Sequence, residues 1–146
     1  MIATMKCLPL CLPLWFALAA GLAQATPAGG PGPAPEQVER FARSLQSALQ
    51  RHDAPGVAAL VAFPLRVGSE GGRARRMGRT ELLRSFDKVF TPTVVQAVLA
   101  QDPAALFQNY QGVMFGNGEV WAAEVCPPKR QAPCPLRVIT VNQPAR

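Results

Sequence analysis

The sequence predicts an α+β domain in which N-terminal helices pack on one face of a curved antiparallel sheet. Apolar residues recur at helical spacing from Val38 to Leu99, whereas β-prone residues and turn signals dominate from Leu106 onward. Because helices come first and strands follow, the two kinds of element form separate layers. A chain of 146 residues has room for one such domain.

Residues 1–25 are predicted to be a secretory signal peptide. Lys6 supplies the basic start, Leu8 to Leu22 form an apolar segment, and Ala23-Gln24-Ala25 is the small-x-small pattern of a cleavage site. We therefore expect cleavage after Ala25 and a periplasmic or secreted product. A retained N-terminal membrane anchor is the alternative, although the apolar segment is short for a membrane span.

Cleavage changes both the charge and the cysteine content. It removes Lys6 and no acid, so the net charge falls by one unit from +6. It also removes two of the four cysteines and leaves Cys126 and Cys134, which we expect to pair in an oxidising compartment. Seven residues separate them, so the disulfide is predicted to close a hairpin loop, whereas redox-active pairs are usually closer.

The mature chain is predicted to begin with a Pro/Gly-rich linker over residues 26–35, followed by one domain over residues 36–146. The first helix is expected from Glu36 to about His52. Its predicted buried face comprises Val38, Phe41, Ala42, Leu45, Ala48 and Leu49.

Capping signals mark the helices that follow. Asp53 is predicted to cap a short helix that Pro64 ends, Thr80 to cap a helix through Phe90, and Thr91 to cap a helix to about Ala100. Two short strands are expected between the second and third helices, at Leu65–Val67 and Arg73–Met77.

The C-terminal third is predicted to be an antiparallel meander. Phe107–Phe115 is expected to be one strand that Gly112 bends, and Asn117-Gly118 is the preferred pair for a type I′ hairpin turn. Glu119–Val125 and Leu136–Val141 complete the meander. The sheet face without helices is expected to be solvated or buried in a homodimer.

Two stretches within this element order support a family resemblance. Ala-Phe-Pro-Leu-Arg-Val at 62–67 follows a short helix, and Gly-Val-Met-Phe-Gly-Asn-Gly-Glu-Val-Trp at 112–121 forms a hairpin. The chain thereby resembles the nuclear-transport-factor-2-like superfamily, in particular its uncharacterised secreted bacterial branches. The resemblance implies a cone with a pocket at its wide end, in a superfamily that includes both enzymes and non-enzymatic binding proteins. No catalytic motif of those enzymes matches here residue by residue.

Four side chains are candidates for acid–base chemistry: Glu119, Asp87, His52 and Tyr110. The simpler interpretation of His52 is a solvated helix end, and that of Glu119 is an exposed position beside a turn. A lone histidine with two disulfide-bonded thiols does not make an ordinary zinc site, so no metal and no cofactor are predicted.

Three strand residues are candidates for ligand binding. Tyr110, Trp121 and Met114 would line an apolar pocket if they faced the inside of the cone, with one hydroxyl and one indole N–H as polar contacts. Burial of these side chains in the core of the sheet is the alternative.

A dense basic segment predicts an anionic partner. Its charges come from Arg73, Arg75, Arg76 and Arg79. Export and the absence of interleaved aromatic residues exclude nucleic acid, which leaves anionic lipid, polysaccharide or an acidic protein. A solvated edge strand protected by its charges is the alternative.

Taken together, these features favour a non-enzymatic exported module that binds an apolar small molecule or an envelope protein. They show apolar and aromatic strand residues without a convergent set of acids, bases or nucleophiles. The alternative is an isomerase-, dehydratase- or hydrolase-like enzyme that uses a carboxylate in the cone pocket.

Overall fold

The computed structural model describes residues 32–69, 72–129 and 133–144, so the predicted signal peptide and its cleavage site lie outside the described residues. The fold is α+β, as predicted: five helices pack against a six-stranded sheet. The helices are α1 (Pro35–Gln50), α2 (Ala54–Ala59), α3 (Arg79–Arg84), α4 (Phe86–Val89) and α5 (Pro92–Leu99). The strands are β1 (Val61–Ser69), β2 (Arg75–Met77), β3 (Phe107–Asn109), β4 (Gly112–Phe115), β5 (Val120–Glu124) and β6 (Leu136–Gln143).

The helix layer follows the predicted periodicity. All six residues predicted for the inner face of α1 are buried. Two predicted N-caps are confirmed: Asp53 Oδ1 accepts the Gly56 N–H at 2.9 Å, and Thr91 Oγ1 accepts the Val94 N–H at 3.4 Å. Thr80 is not a cap, because α3 already begins at Arg79 and the helix is interrupted at Ser85, whose backbone leaves helical geometry.

The sheet has the strand order β2-β1-β6-β5-β4-β3. The antiparallel meander from β3 to β6 is confirmed. One junction differs from the antiparallel prediction, since β1 and β6 are parallel. After β1 the chain forms β2 at one edge of the sheet, passes through α3, α4 and α5, re-enters at the opposite edge as β3, and winds back so that β6 lies beside β1 in the same direction.

Proline 64 does not end a helix, contrary to the sequence prediction. It lies inside β1, where the Phe63–Pro64 peptide bond is cis. The pairing of β1 with β6 changes register between Val61 and Arg66, so the strand accommodates at this irregularity a residue that has no N–H for the ladder.

The predicted strand from Phe107 to Phe115 is a hairpin of two strands. Asn109 Oδ1 accepts the Gln111 N–H at 2.8 Å, which closes an Asx-type turn. Gly112 follows with φ +130°, a conformation that side chains disfavour. The turn therefore falls at Tyr110, which is not in the middle of a strand as predicted.

The next hairpin lacks the predicted type I′ turn at Asn117-Gly118. That turn requires positive φ at both central residues, but positive φ occurs here at Gly116 and Gly118 and not at Asn117. The connection has four residues, and the Glu119 carboxylate stabilises it by accepting the Asn117 N–H at 2.5 Å.

Cys126 and Cys134 form the predicted disulfide at the neck of the β5–β6 loop, with their Cα atoms 4.9 Å apart. Beside it, the Val125 N–H donates to the Pro135 carbonyl at 3.0 Å. Gln37 Nε2 of α1 donates to the Cys134 carbonyl at 2.6 Å, so the loop is joined to the helix layer.

The core lies between the helices and one face of the sheet. Phe115, Leu45 and Leu65 are fully buried there, and no polar or charged residue is buried among the residues that the structure describes. In the same part of the chain, no helix is long and apolar enough to cross a membrane.

Candidate functional site: an open sheet face with an apolar and a cationic half

Alternation along β5 separates the two faces of the sheet. Val120 and Ala122 are fully buried against the helices, whereas Trp121 and Ala123 lie on the opposite face and are only half-buried. No described helix residue lines the clefts on this second face, which we call the open face. Trp121 therefore points away from the helix-covered interior in which the resemblance would place a pocket.

A continuous row of cross-strand neighbours crosses the open face. Each strand contributes one residue, and each residue is the register partner of the next. Five strand spacings make this row about 24 Å long. We call it the cross-strand row; in order, its members are Phe107, Met114, Trp121, Thr140, Arg66 and Arg76.

The first half of the cross-strand row is apolar. Phe107 is 54% exposed on the edge strand, and Met114 and Trp121 are half-buried beside it. Gly118 borders the last two, because a Cβ placed there would lie 3.4 Å from Trp121 Nε1 and 4.0 Å from Met114 Sδ. The hairpin turn thus forms a wall at one side of this apolar surface.

The second half is cationic. Arg66 and Arg76 are exposed and lie directly opposite each other in an antiparallel pair. Repulsion between their like charges destabilises this arrangement. Neither forms an ion pair within residues 32–69, 72–129 and 133–144. Arg137, the register partner of Ala123, adds a third positive charge to the open face.

Two adjoining clefts lie over the middle of the cross-strand row. The first, of about 320 Å³, is lined by Arg66, Trp121 and Thr140 together with Gln111, Ile139 and Asn142. The second, of about 520 Å³, shares Trp121 and Asn142 with it and extends to Glu119. Asn142, which lines both clefts, donates from Nδ2 to the Gly118 carbonyl at 2.8 Å and so joins β6 to the hairpin turn.

The structure brings two of the three predicted ligand-binding residues together. Met114 and Trp121 are register partners on the open face. Tyr110 lies apart from them in the β3–β4 turn and is 95% exposed, so it lines no apolar pocket with them.

The four acid–base candidates lie in three separate places. His52 Nε2 is 3.2 Å from Asp87 Oδ1, but the two side chains are 70% and 77% exposed and lie on the helix side of the molecule. Glu119 is held in its own turn, and Tyr110 is at the other end of β4. No described group of three or more His, Cys, Asp or Glu side chains is arranged to hold a metal ion.

The predicted basic patch is divided by the sheet. Arg75 bonds Glu81 of α3, and Arg79 donates to the Ala58 carbonyl at 3.2 Å, so both are engaged on the helix side. Arg76 alone joins the open face, and Arg73 is exposed before β2 begins.

Arg66 was missed as a candidate in the sequence analysis. Its signal is the alternation Leu65-Arg66-Val67, which places a cation on the outer face of a strand whose two neighbours are buried. The alternation does not predict that Arg66 pairs with Arg76 and Thr140, because this pairing depends on the order of the strands in the sheet.

Comparison of the chain with protein-family models and with curated proteins found no match.

Proposed function

We propose that this protein is an exported, non-enzymatic binding module that holds a small apolar molecule on the open face, against Met114 and Trp121. The observation that carries the proposal is the cross-strand row, whose apolar half lies beside a cleft of about 320 Å³. Small-molecule sites occur in clefts of roughly 300–1,000 Å³. This cleft offers the apolar side chains of Trp121 and Ile139 beside polar groups that include Thr140 and Asn142.

The helix-covered side offers a poorer place for such a ligand. Phe115, Leu45 and Val113 fill the space between the helices and the sheet with fully buried side chains. A ligand there would have to displace packed groups, which costs more than covering surface that is already solvated. The open face needs no such displacement.

Covering the apolar half contributes a favourable term to binding, which is set against the cost of immobilising the ligand. Removing one large apolar side chain from water contributes about 1.5–3 kcal/mol, and the ligand gains a similar term from its own surface. Trp121 and Met114 are already partly covered, so the gain per residue lies toward the lower end of that range.

Export is part of the proposal. The Cys126–Cys134 disulfide is typical of oxidising compartments, and the predicted signal peptide assigns the chain to the periplasm or the exterior. The resemblance to the nuclear-transport-factor-2-like superfamily, which includes non-enzymatic binding proteins, is proposed with this class of function, while the proposed site lies outside the interior pocket that the resemblance implies.

Binding of the neutral fluorophore N-phenyl-1-naphthylamine tests the proposal. We expect the exported protein to enhance its fluorescence, and both Trp121→Ser and Met114→Gln to weaken binding at least five-fold. Leu83→Ser is the matched control, because Leu83 is an exposed apolar residue of α3 on the helix side. Equal affinity in all four proteins would contradict the proposal.

A further inference from the structure

We infer that the ligand is a single-chain amphiphilic anion, with its apolar chain across Trp121, Met114 and Phe107 and its anionic group at Arg66 and Arg76. This inference rests on the proposed function and names the chemical class of the ligand. A purely apolar ligand would leave the cationic half of the cross-strand row uncovered, whereas the anionic group of an amphiphile would contact it.

The opposed arginine pair indicates an anionic group. Two guanidinium groups face each other across β1 and β2, and no described acid neutralises them by an ion pair. Arginine binds carboxylate, sulfate and phosphate oxygens with paired, charge-assisted hydrogen bonds. One anionic group between Arg66 and Arg76 would remove the like-charge repulsion and receive donors from both.

The order of groups along the cross-strand row also indicates an amphiphilic ligand. Apolar and cationic halves do not alternate; they meet at Thr140, the register partner of both Trp121 and Arg66. From Arg66 to Phe107 the row covers four strand spacings, about 19 Å. A ligand that matches this order has one charged end and one extended apolar end.

Charge disfavours a second copy of the chain as the occupant. The described strand residues of the open face include Arg66, Arg76 and Arg137 and no acid, and Glu119, which borders the second cleft, accepts the Asn117 N–H in its own turn. Two copies placed face to face would set arginines against arginines or against the apolar half, and both arrangements leave charge uncompensated. Charge complementarity therefore favours an anion from outside the chain.

The size of the cationic half also favours a small ligand. An anionic bilayer is contacted by a broad basic surface, but Arg75 and Arg79 are turned to the helix side and do not extend the cationic half. The open face keeps three arginines, Arg66, Arg76 and Arg137, and two adjoining clefts of about 320 and 520 Å³. These dimensions fit one molecule.

Calorimetric titration with three amphiphiles of equal chain length tests the inference. The probes are dodecanoate, dodecyldimethylamine oxide and dodecyltrimethylammonium, each below its critical micelle concentration, added to the exported protein. We expect dodecanoate to bind at least ten-fold more tightly than the neutral amine oxide, and the cation to bind most weakly.

Charge variants locate the anionic group. Arg66→Gln combined with Arg76→Gln is expected to lower dodecanoate affinity to that of the amine oxide and to leave amine oxide binding unchanged. The matched control is Arg40→Gln, which removes one positive charge from an exposed position of α1. The single variant Arg76→Gln is expected to give an intermediate loss.

Three outcomes would overturn the inference: no preference for dodecanoate over the amine oxide, an equal loss in Arg40→Gln, or binding to phosphatidylglycerol vesicles without binding of monomeric dodecanoate. A concentration-dependent dimer that dodecanoate does not dissociate would also overturn it, in favour of a second copy. If dodecanoate and the amine oxide bind equally while N-phenyl-1-naphthylamine binding still depends on Trp121, only this inference is refuted. If binding of that fluorophore does not depend on Trp121, the proposed function is refuted as well.

Discussion

Arg66 and Arg76 illustrate how one residue pair links stability to binding. Their strands hold them in register on a solvated face, so their charges repel at short range, although water screens most of the repulsion. A protein without a ligand for this position would gain stability by changing either arginine.

Charge reversal at neighbouring positions of β2 tests this statement. Arg76→Glu converts a repulsive pair into an attractive one and should raise the free energy of unfolding by a few tenths of a kcal/mol. Arg75→Glu, the same change one residue earlier, should lower it, because it places a carboxylate beside Glu81. Urea denaturation measures both, and a fall in stability for Arg76→Glu would contradict the account.

Gly112 is a residue whose backbone conformation and close neighbours leave no room for a side chain. Its φ is +130°, and a Cβ there would lie 2.1 Å from the Ala122 carbonyl oxygen in β5. Gly112→Ala should therefore lower the free energy of unfolding by about 2 kcal/mol or more. Gly78→Ala is the matched control, because nothing lies within 4 Å of its Cβ position; equal midpoints for the two variants in urea would refute the explanation.

Single residues also mark the limit of sequence-based prediction. Strand alternation places Trp121 on the face of Ala123 and opposite Val120, as the structure has it. Alternation does not say which of the two faces the helices cover, so it could not decide whether Trp121 faces the inside of the cone. Tyr110 was misplaced for a local reason, since the side-chain bond of Asn109 that closes its turn competes with strand formation.

At the scale of elements, the β5–β6 hairpin depends on its disulfide. The disulfide closes a loop between residues eight positions apart. It lowers the conformational entropy of the unfolded chain, which in the chain-entropy treatment stabilises the folded protein by about 2.5 kcal/mol. Cys126→Ser with Cys134→Ser should lower the free energy of unfolding by up to that amount. Urea denaturation of the oxidised protein and the variant measures the loss.

The same variant has an internal control. The loop lies beyond the last pair of β5 and β6, Glu124 with Leu136, away from the cross-strand row. Binding of N-phenyl-1-naphthylamine should therefore persist at temperatures where the variant is folded. Two reactive thiols in the native unmodified protein would contradict the assignment of the disulfide.

The elements that sequence predicted best are those whose signals are local. α1 is defined by its own apolar spacing, and α2 and α5 by caps at Asp53 and Thr91. The predicted strand Leu65–Val67 is shorter than β1 because Pro64 disfavours both a helix and strand pairing. Only the pairing of β1 with β6 determines that the segment around Pro64 is a strand. Short-range patterns carry little information about such pairing.

At the scale of the molecule, the candidate site is a product of topology. The cross-strand row combines β1 and β2, which precede α3, with four strands that follow α5. β6 joins the two groups of strands because it pairs with β1 on one side and with β5 on the other. Thr140 therefore lies between Arg66 and Trp121. No sequence window contains both halves, so the row was beyond prediction from periodicity and composition.

Amide and indole ¹H–¹⁵N NMR of the folded protein during titration with dodecanoate tests the central claim most directly. The account predicts the largest shift changes at the Trp121 indole N–H and at the amides of Met114, Thr140 and Arg66, with α1 and α5 unchanged. Largest changes in α1 and α5, or saturation without any site-specific change on the open face, would contradict it.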